Sequence, residues 1–324
     1  MQIKIMFGCY LMSNSLVNAY TVIIIFFIGY FFKRFKLVNL DTAKKLSYVV
    51  MYITLPCAIL SGTAGAIDIS VNLYYIVPIA FVISFLMPCI GYFIFHKDPK
   101  QCVFGMLNLG GFNIGNFVLP FMQSILTPEG FIALCLFDVV NAFFCFGGVY
   151  CMSLWFNRNG FNNGDTINLK KILIELSKSI TSYCCILSIV LSASGIEMPF
   201  EVLHPVKMIG ASNIFLCMFV IGVALNFDVS FTQINKILKM LFIRYFSALL
   251  FALLVWFCLP YSQMVRLVLV AIVFAPITSL APITAIRSLP EFAEDSANLN
   301  MISVITSVII ITLLNAFAPL FMTI

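Results

Sequence analysis

Two short segments combine proline with polar side chains inside long apolar stretches, and they offer the best ligand-binding chemistry in the chain. The first, 112-FNIGNFVLPF-121, carries Asn113, Asn116 and Pro120. Proline has no amide proton and clashes with the preceding helical turn, so it interrupts a helix and frees carbonyl groups. Gly115 loosens the same backbone, and each asparagine offers both donors and acceptors. The segment predicts a helix interrupted in an apolar environment, with polar groups at the interruption.

The second segment, 274-FAPITSLAPITA-285, lies half a chain later and holds Pro276, Thr278, Ser279 and Pro282. Hydroxyl groups can satisfy carbonyls that proline frees, so both segments could be simple kinks that repair themselves. Helix N-termini carry partial positive charge and favour anions. Two broken helices that cross would therefore suit a carboxylate, and we expect no Lys or Arg deep in any apolar stretch.

Asp138 and Asn141 lie one helical turn apart in an otherwise uncharged stretch. An ionisable residue inside a membrane is costly and by default indicates a functional site. Asp138 is thus a candidate proton carrier, and a hydrogen-bonded structural acid is the alternative. Asn141 is a candidate substrate contact.

Ten apolar stretches position these residues. Hydrophobic residues make up 62% of the 324-residue chain and charged residues 10%, against about 25% charged in typical soluble domains. A membrane-spanning helix needs roughly 20 mostly apolar residues, and the sequence predicts an all-α membrane protein with ten transmembrane helices. The predicted spans are 5–32, 46–67, 69–95, 101–128, 130–156, 179–196, 208–227, 245–265, 267–286 and 296–324.

Basic residues set the predicted orientation. Of the 18 Lys and Arg residues, 15 fall in alternate connections, at 33–45, 97–100, 158–178, 236–244 and 287. Such an excess marks the cytoplasmic face of a membrane protein. The pattern predicts a protein of the cytoplasmic membrane with both termini outside.

The segment 157-NRNGFNNGDTINLK-170 divides five spans from five. An odd number of spans in each half inserts the halves with opposite orientation, which is how an inverted repeat arises. We predict a 5+5 inverted repeat with two crossed, proline-broken helices. Its parts are a first repeat at 1–156, a cytoplasmic linker at 157–171 and a second repeat at 172–324. The similar 141-NAFF-144 and 315-NAFA-318 support the repeat weakly.

Several classes of function find no support in the sequence. It holds no P-loop, HExxH or Ser-His-Asp pattern, and we predict neither an enzyme nor an ATP-driven pump. The 11 cysteines include no CxxC pair, so we expect no metal or other cofactor. The basic residues lie in short loops, which indicates the lipid bilayer as partner and argues against nucleic acid.

At these residues the chain resembles the auxin efflux carrier family, whose bacterial members include carriers of malonate and related carboxylates. The matching features are 29-GYFFKRFKLV-38, Pro56 within 44-KKLSYVVMYITLPCAIL-60, Asn113 seven residues before Pro120, the Asp138–Asn141 pair, 209-IGASNIFLCMFVIGVAL-225 and 295-DSANLNMISVITS-307. Val118 and Asn116 depart from the family pattern, which usually has glycine and an apolar residue there.

The resemblance implies a mobile transport domain formed by spans three to five and eight to ten. Spans one, two, six and seven would form a scaffold that often mediates homodimers. The leading hypothesis is a secondary or facilitated carrier of a small organic anion that works by alternating access. A sodium-coupled carrier of the bile-acid-symporter or sodium-proton-antiporter type remains an alternative, as does a membrane receptor that binds a ligand without moving it.

Overall fold

The computed structural model describes residues 20–64, 71–156, 179–225 and 231–321, together with residues 17, 170, 174 and 177. Both chain ends lie outside the described residues, as does the predicted linker 157–171 apart from residue 170. Within the described parts the chain is helical and has no strand, only an isolated antiparallel bridge between Phe112 and Ile277. The all-α prediction is confirmed for these residues.

The described part of the first half forms six α-helical elements, three of which start with a side-chain cap. Asn39, Asp98 and Thr127 accept hydrogen bonds from backbone N–H groups of the turn that follows each of them, as N-caps do. Two of these starts place proline at the first helical position, where no amide proton is needed. The elements are α1 (20–34), α2 (Leu40–Thr63), α3 (Ile76–Phe95), α4 (Pro99–Leu109), α5 (Leu119–Met122) and α6 (Pro128–Phe156).

The described part of the second half is also built from α-helices, some with capped ends. Ser179 and Ser262 cap helix starts, and Gly195, with a φ of 65°, ends a helix in the left-handed conformation that glycine adopts without strain. The elements are α7 (Ile180–Ser194), α8 (Phe200–Ala224), α9 (Phe231–Cys258), α10 (Gln263–Val273), α11 (Leu280–Ser288) and α12 (Ala293–Phe321).

Six described helices are long and apolar enough to cross a membrane. They are Leu40–Thr63, Asn72–Phe95, Pro128–Phe156, Phe200–Ala224, Ile234–Cys258 and Pro290–Phe317. Large apolar side chains such as Phe93, Trp155 and Phe257 are exposed on their outer faces, as lipid-facing side chains are. The helices α7 and α10 are apolar but shorter.

The eighth predicted span is placed wrongly at 245–265. The helix α9 covers Phe231–Cys258. It therefore includes Lys236, Lys239 and Arg244, which the sequence predicts to lie in the preceding connection. One of them, Arg244, is buried, with 1% of its surface exposed. The expectation of no Lys or Arg deep in a span is therefore wrong.

Glycines set the close helix approaches. A Cβ atom at Gly210 of α8 would lie 2.9 Å from the Ala58 backbone of α2. One at Gly91 of α3 would lie 2.8 Å from the Gly105 backbone of α4. Small residues at such contacts let membrane helices pack backbone to backbone.

Candidate functional site

Two interrupted helices meet inside the protein. The chain leaves helical conformation after α4 and again after α10, and the two non-helical stretches pair at the bridge between Phe112 and Ile277. The Asn113 N–H donates to the Pro276 carbonyl at 3.1 Å, and Asn113 Nδ2 donates to Ser279 Oγ at 3.3 Å. We call this region, residues 110–118 and 274–282, the crossing.

The first interruption lies at residues 110–113, before the position expected from Pro120. Gly111 adopts a φ of +80°, in the left-handed region that favours glycine. A Cβ atom there would lie 2.8 Å from Cys145 Sγ and 2.9 Å from Thr278 Cγ2. The helix therefore breaks at a glycine that has neither the conformation nor the space for a side chain.

The three prolines differ in their position relative to the breaks. Pro120 is within α5, just after a π turn at Ile114–Val118, and together these form a half-helix at 114–122. Pro276 lies within the second break, and Pro282 lies in the first turn of α11, where its missing amide proton costs nothing. Pro120 and Pro282 therefore follow the breaks and do not create them.

Asn141 on α6 satisfies the backbone of the first break. Its Oδ1 accepts from the Phe112 N–H and its Nδ2 donates to the Phe112 carbonyl, both at 2.9 Å. Buried backbone groups without partners are costly, so one amide side chain replaces the two helical hydrogen bonds that Phe112 has lost. This gives Asn141, predicted as a substrate contact, a structural role at the crossing.

Asn300 and Ser303 on α12 do the same for the second break. Asn300 Nδ2 donates to the Ile277 carbonyl at 2.8 Å and to the Thr278 carbonyl at 3.2 Å. Ser303 Oγ accepts from the Ile277 N–H at 3.1 Å. Both residues lie in the family-like segment 295–307, but the sequence predicted no role for either, because a single Asn or Ser in an apolar helix carries no local signal. Asn315 of the NAFA segment instead donates to the Phe121 carbonyl.

Arg244 ties the carboxyl ends of both broken helices together. Its Nη1 donates to the Asn108 and Leu109 carbonyls at 3.3 and 3.0 Å. Its Nη2 donates to the Gly111 and Ala275 carbonyls at 3.2 and 3.0 Å. The guanidinium group is thus shared between α4 and α10, and it also lies 5.3 Å from the Phe112 ring centroid.

Asp138 lies beside the first half-helix, next to the Asn141 amide that holds the first break. Its Oδ1 accepts from Asn141 Nδ2 at 3.2 Å. A Cβ atom built on Gly115 would lie 3.8 Å from Asp138 Oδ2, 3.2 Å from Leu55 and 3.6 Å from Thr181. The carboxyl group therefore lies where α6, α2, α7 and the half-helix converge.

Asn116 and Thr278 complete the set of predicted site residues. Asn116 is half-buried, and its amide has no hydrogen-bond partner among the described residues. Thr278 is also half-buried, with its Oγ1 accepting from the Leu280 N–H at 3.4 Å. The crossing thus holds Asn113, Thr278 and Ser279 together, with Asn116 free to bind another group.

A separate cavity of about 240 Å³ lies between the ends of α2 and α7 and the start of α8. Leu60, Leu191 and Met198 contribute apolar surface to its wall, and Glu197 and Lys207 contribute charged groups. None of the predicted site residues lines it, and we assign it no part in the chemistry of the crossing.

Comparison with known proteins connects the first half of the chain to transport. A family model described as membrane transport protein matches residues 15–164, which include the first break, Asp138 and Asn141. A search of curated proteins found no match. Together with the long apolar helices, the family match indicates a multi-pass membrane transporter.

Proposed function

We propose that the protein is a secondary or facilitated carrier of a small organic anion, such as a carboxylate, and that it works by alternating access with the crossing as its binding site. The observation that carries the proposal is the direct pairing of two interrupted helices at Phe112 and Ile277. Non-helical backbone at membrane depth persists where it is buried in protein or lines a cavity. Discontinuous helices of this kind form the binding sites of many secondary transporters.

The chemistry of the crossing suits an anion. The first N–H groups of the half-helix 114–122 have no intrahelical acceptor, and the N-terminus of α11 lies directly across from them through the Asn113–Ser279 hydrogen bond. Both ends carry partial positive charge. The unpartnered amide of Asn116 offers two further donors beside them. We propose that these donors bind the oxygen atoms of a small carboxylate such as malonate.

Equal spacing supports the inverted repeat. Asp138 and Asn141 follow Pro120 by 18 and 21 residues, and Asn300 and Ser303 follow Pro282 by the same numbers. In each half, the later residue of the pair accepts the N–H of the bridge residue. We propose that the two halves are one ancestral unit inserted twice with opposite orientation.

The mobile transport domain would then comprise α3–α6 and α9–α12, with α1, α2, α7 and α8 as scaffold and homodimer surface. Gln123, at the end of the first half-helix, donates to the Gly210 carbonyl at 3.0 Å and accepts from Asn213 at 3.3 Å. Asn213 in turn accepts from Thr54 Oγ1 at 3.1 Å. The two Gln123 contacts join the proposed domains and would exchange when one domain moves against the other, whereas the Thr54–Asn213 bond lies within the scaffold.

We propose the orientation that the sequence predicts, with both termini outside the cytoplasmic membrane. Arg244 drops out of the count because it is buried in the middle of α9, whereas Lys236 and Lys239 lie in its first turns. The other basic residues of its set, such as Lys236 and Lys239, keep the same bias toward one face.

Flux into proteoliposomes tests the proposal. Labelled malonate, other small carboxylates and aromatic acids would be offered to the reconstituted protein and to an Asn116→Ala variant. Since Asn116 has no hydrogen bond to lose, we expect the variant to fold normally but to need a higher substrate concentration. Asn72→Ala, which removes an exposed asparagine of the 3-10 turn Val71–Tyr75, is the matched control. Flux of none of these anions by the wild type would refute the proposed function.

A further inference from the structure

Arg244 is a buried charge without a counter-ion. Only 1% of its surface is exposed, and no carboxylate of the described residues forms an ion pair with it. An arginine cannot lose its proton in a protein, so the positive charge stays inside the apolar core. A buried charge that is not compensated is strongly destabilising.

The compensation comes from backbone carbonyls at the ends of helices. Asn108 and Leu109 close α4, and their carbonyls have no intrahelical donor because the helix stops there. Helix carboxyl ends carry partial negative charge. The carbonyls of Gly111 and Ala275 belong to the two breaks. Four oxygens from two interrupted helices thus converge on one guanidinium group.

Converging carbonyls at broken helix ends are the ligands that transporters use for inorganic cations. Here the side chain of α9 already occupies them. We propose that Arg244 is a built-in cation that holds the two broken helices together, so that transport requires no sodium or other inorganic cation at the crossing. The inference rests on the proposed carrier function. It adds that the crossing itself couples no inorganic cation to transport.

The fixed charge also affects what the crossing can bind. A guanidinium group that never leaves adds one positive charge next to the donor-rich helix N-termini, and its field is little screened inside the protein. Arg244 acts as a positioning residue, because it binds the backbone on which Asn113 and Ser279 stand and not the substrate itself.

Chemical rescue provides the test. Wild-type flux should be the same when N-methylglucamine replaces sodium on both sides of the membrane. Arg244→Ala should lose flux by at least about tenfold, because charged hydrogen bonds to both helix ends are removed. Millimolar guanidinium should restore much of that loss by entering the vacated space. Arg244→Met keeps the side-chain length without the charge, so its loss should not be reversed by guanidinium.

Arg266→Ala is the matched control. This half-buried arginine donates to the Tyr261 and Trp256 carbonyls, away from the crossing, so neither sodium nor guanidinium should change its flux relative to the wild type. Wild-type flux that depends on sodium would overturn the inference. So would full sodium-independent flux in Arg244→Met.

A melting experiment separates this inference from the proposed function. In detergent or nanodiscs, guanidinium at the same concentration should raise the melting temperature of Arg244→Ala but not that of Arg244→Met or the wild type. This result is independent of any substrate. Absence of anion flux in the wild type would refute the carrier function alone, whereas absence of guanidinium stabilisation in Arg244→Ala would refute the built-in cation.

Discussion

The two breaks at the crossing meet the same physical requirement with different residues. At the first break, the single amide of Asn141 satisfies both backbone groups of Phe112. At the second break, Asn300 donates to the Ile277 carbonyl and Ser303 accepts from the Ile277 N–H. Unsatisfied backbone groups are costly inside a membrane protein, so the hydrogen bonds are kept while the side chains that make them change.

This difference frees one position in the first half. The residue one turn before Asn141 is Asp138, whereas the residue one turn before Ser303 is Asn300, which is needed for the break. Because Asn141 alone completes the first break, position 138 can carry a carboxyl group instead. The two breaks therefore differ in their tasks: the second break is a structural joint, and the first also presents an ionisable group.

The largest expected effect comes from closing the first break with a side chain. Gly111→Val would force a β-branched residue into a φ of +80°, which costs roughly 1–2 kcal/mol for a residue with a Cβ. The overlap with Cys145 and Thr278 adds about 1–3 kcal/mol of overpacking. We expect loss of flux and a sharply lower melting temperature.

Gly195→Val controls for the conformational part of that effect. Gly195 also has a positive φ, of 65°, but a Cβ atom there would meet nothing within 4 Å. The variant should therefore lose only the strain contribution and should keep its flux. Equal damage from both variants would show that the crowding at the crossing is unimportant.

The next effect sharpens the comparison of the two breaks. Asn141→Ala leaves the Phe112 N–H without a partner and the Phe112 carbonyl with only the weak Cys145 thiol donor at 4.0 Å, at about 1–3 kcal/mol for each buried group. Ser303→Ala leaves only the Ile277 N–H unpaired, since Asn300 still binds the carbonyl. We expect the Asn141 variant to lower the melting temperature about twice as much. A reversed order would contradict the division of hydrogen bonds described above.

The sequence predicted part of this arrangement for good physical reasons. Long apolar stretches predict membrane helices, and polar residues beside proline within such a stretch indicate backbone that cannot remain helical. Both segments at the crossing were found in this way. The exact break at Gly111 was missed because Pro120 gives the stronger local signal, although its ring fits into the half-helix after the π turn.

The residues that hold the crossing could not be read from local patterns. Arg244 was placed in a loop because a charge at the edge of an apolar stretch looks like the end of a span. Its partners lie from 31 to 136 residues away in sequence. Asn300 and Ser303 bind the second break across 23 and 26 residues. Such pairings are set by tertiary packing.

A smaller effect tests the direct contact between the breaks. Asn113→Ala removes the bond to Ser279 Oγ, which at 3.3 Å is long and exposed, so its share of stability is at most about 0.5–1.5 kcal/mol. Ser279→Ala removes the same bond from the other side. If Asn113 also binds substrate, its variant should lose more flux than the Ser279 variant at equal melting temperature. Equal flux in the two would assign Asn113 to structure alone.

The smallest structural change makes the first half resemble the second. Asp138→Asn places an asparagine where the proposed second repeat has Asn300, and its amide keeps the shape and a hydrogen-bonding oxygen for Asn141 Nδ2. Stability and substrate affinity should therefore change little. If Asp138 loads a proton on one face and releases it on the other, the variant should lose the dependence of uptake on a pH gradient, because an amide does not titrate in this range. The variant would still respond to the membrane potential, which is worth about 2.3 kcal/mol per elementary charge per 100 mV.

Uptake by the wild type and the variant would be measured with a pH gradient and with a potassium diffusion potential in turn. Unchanged dependence on the pH gradient in Asp138→Asn would remove the proton-carrier role and leave the two breaks alike in function.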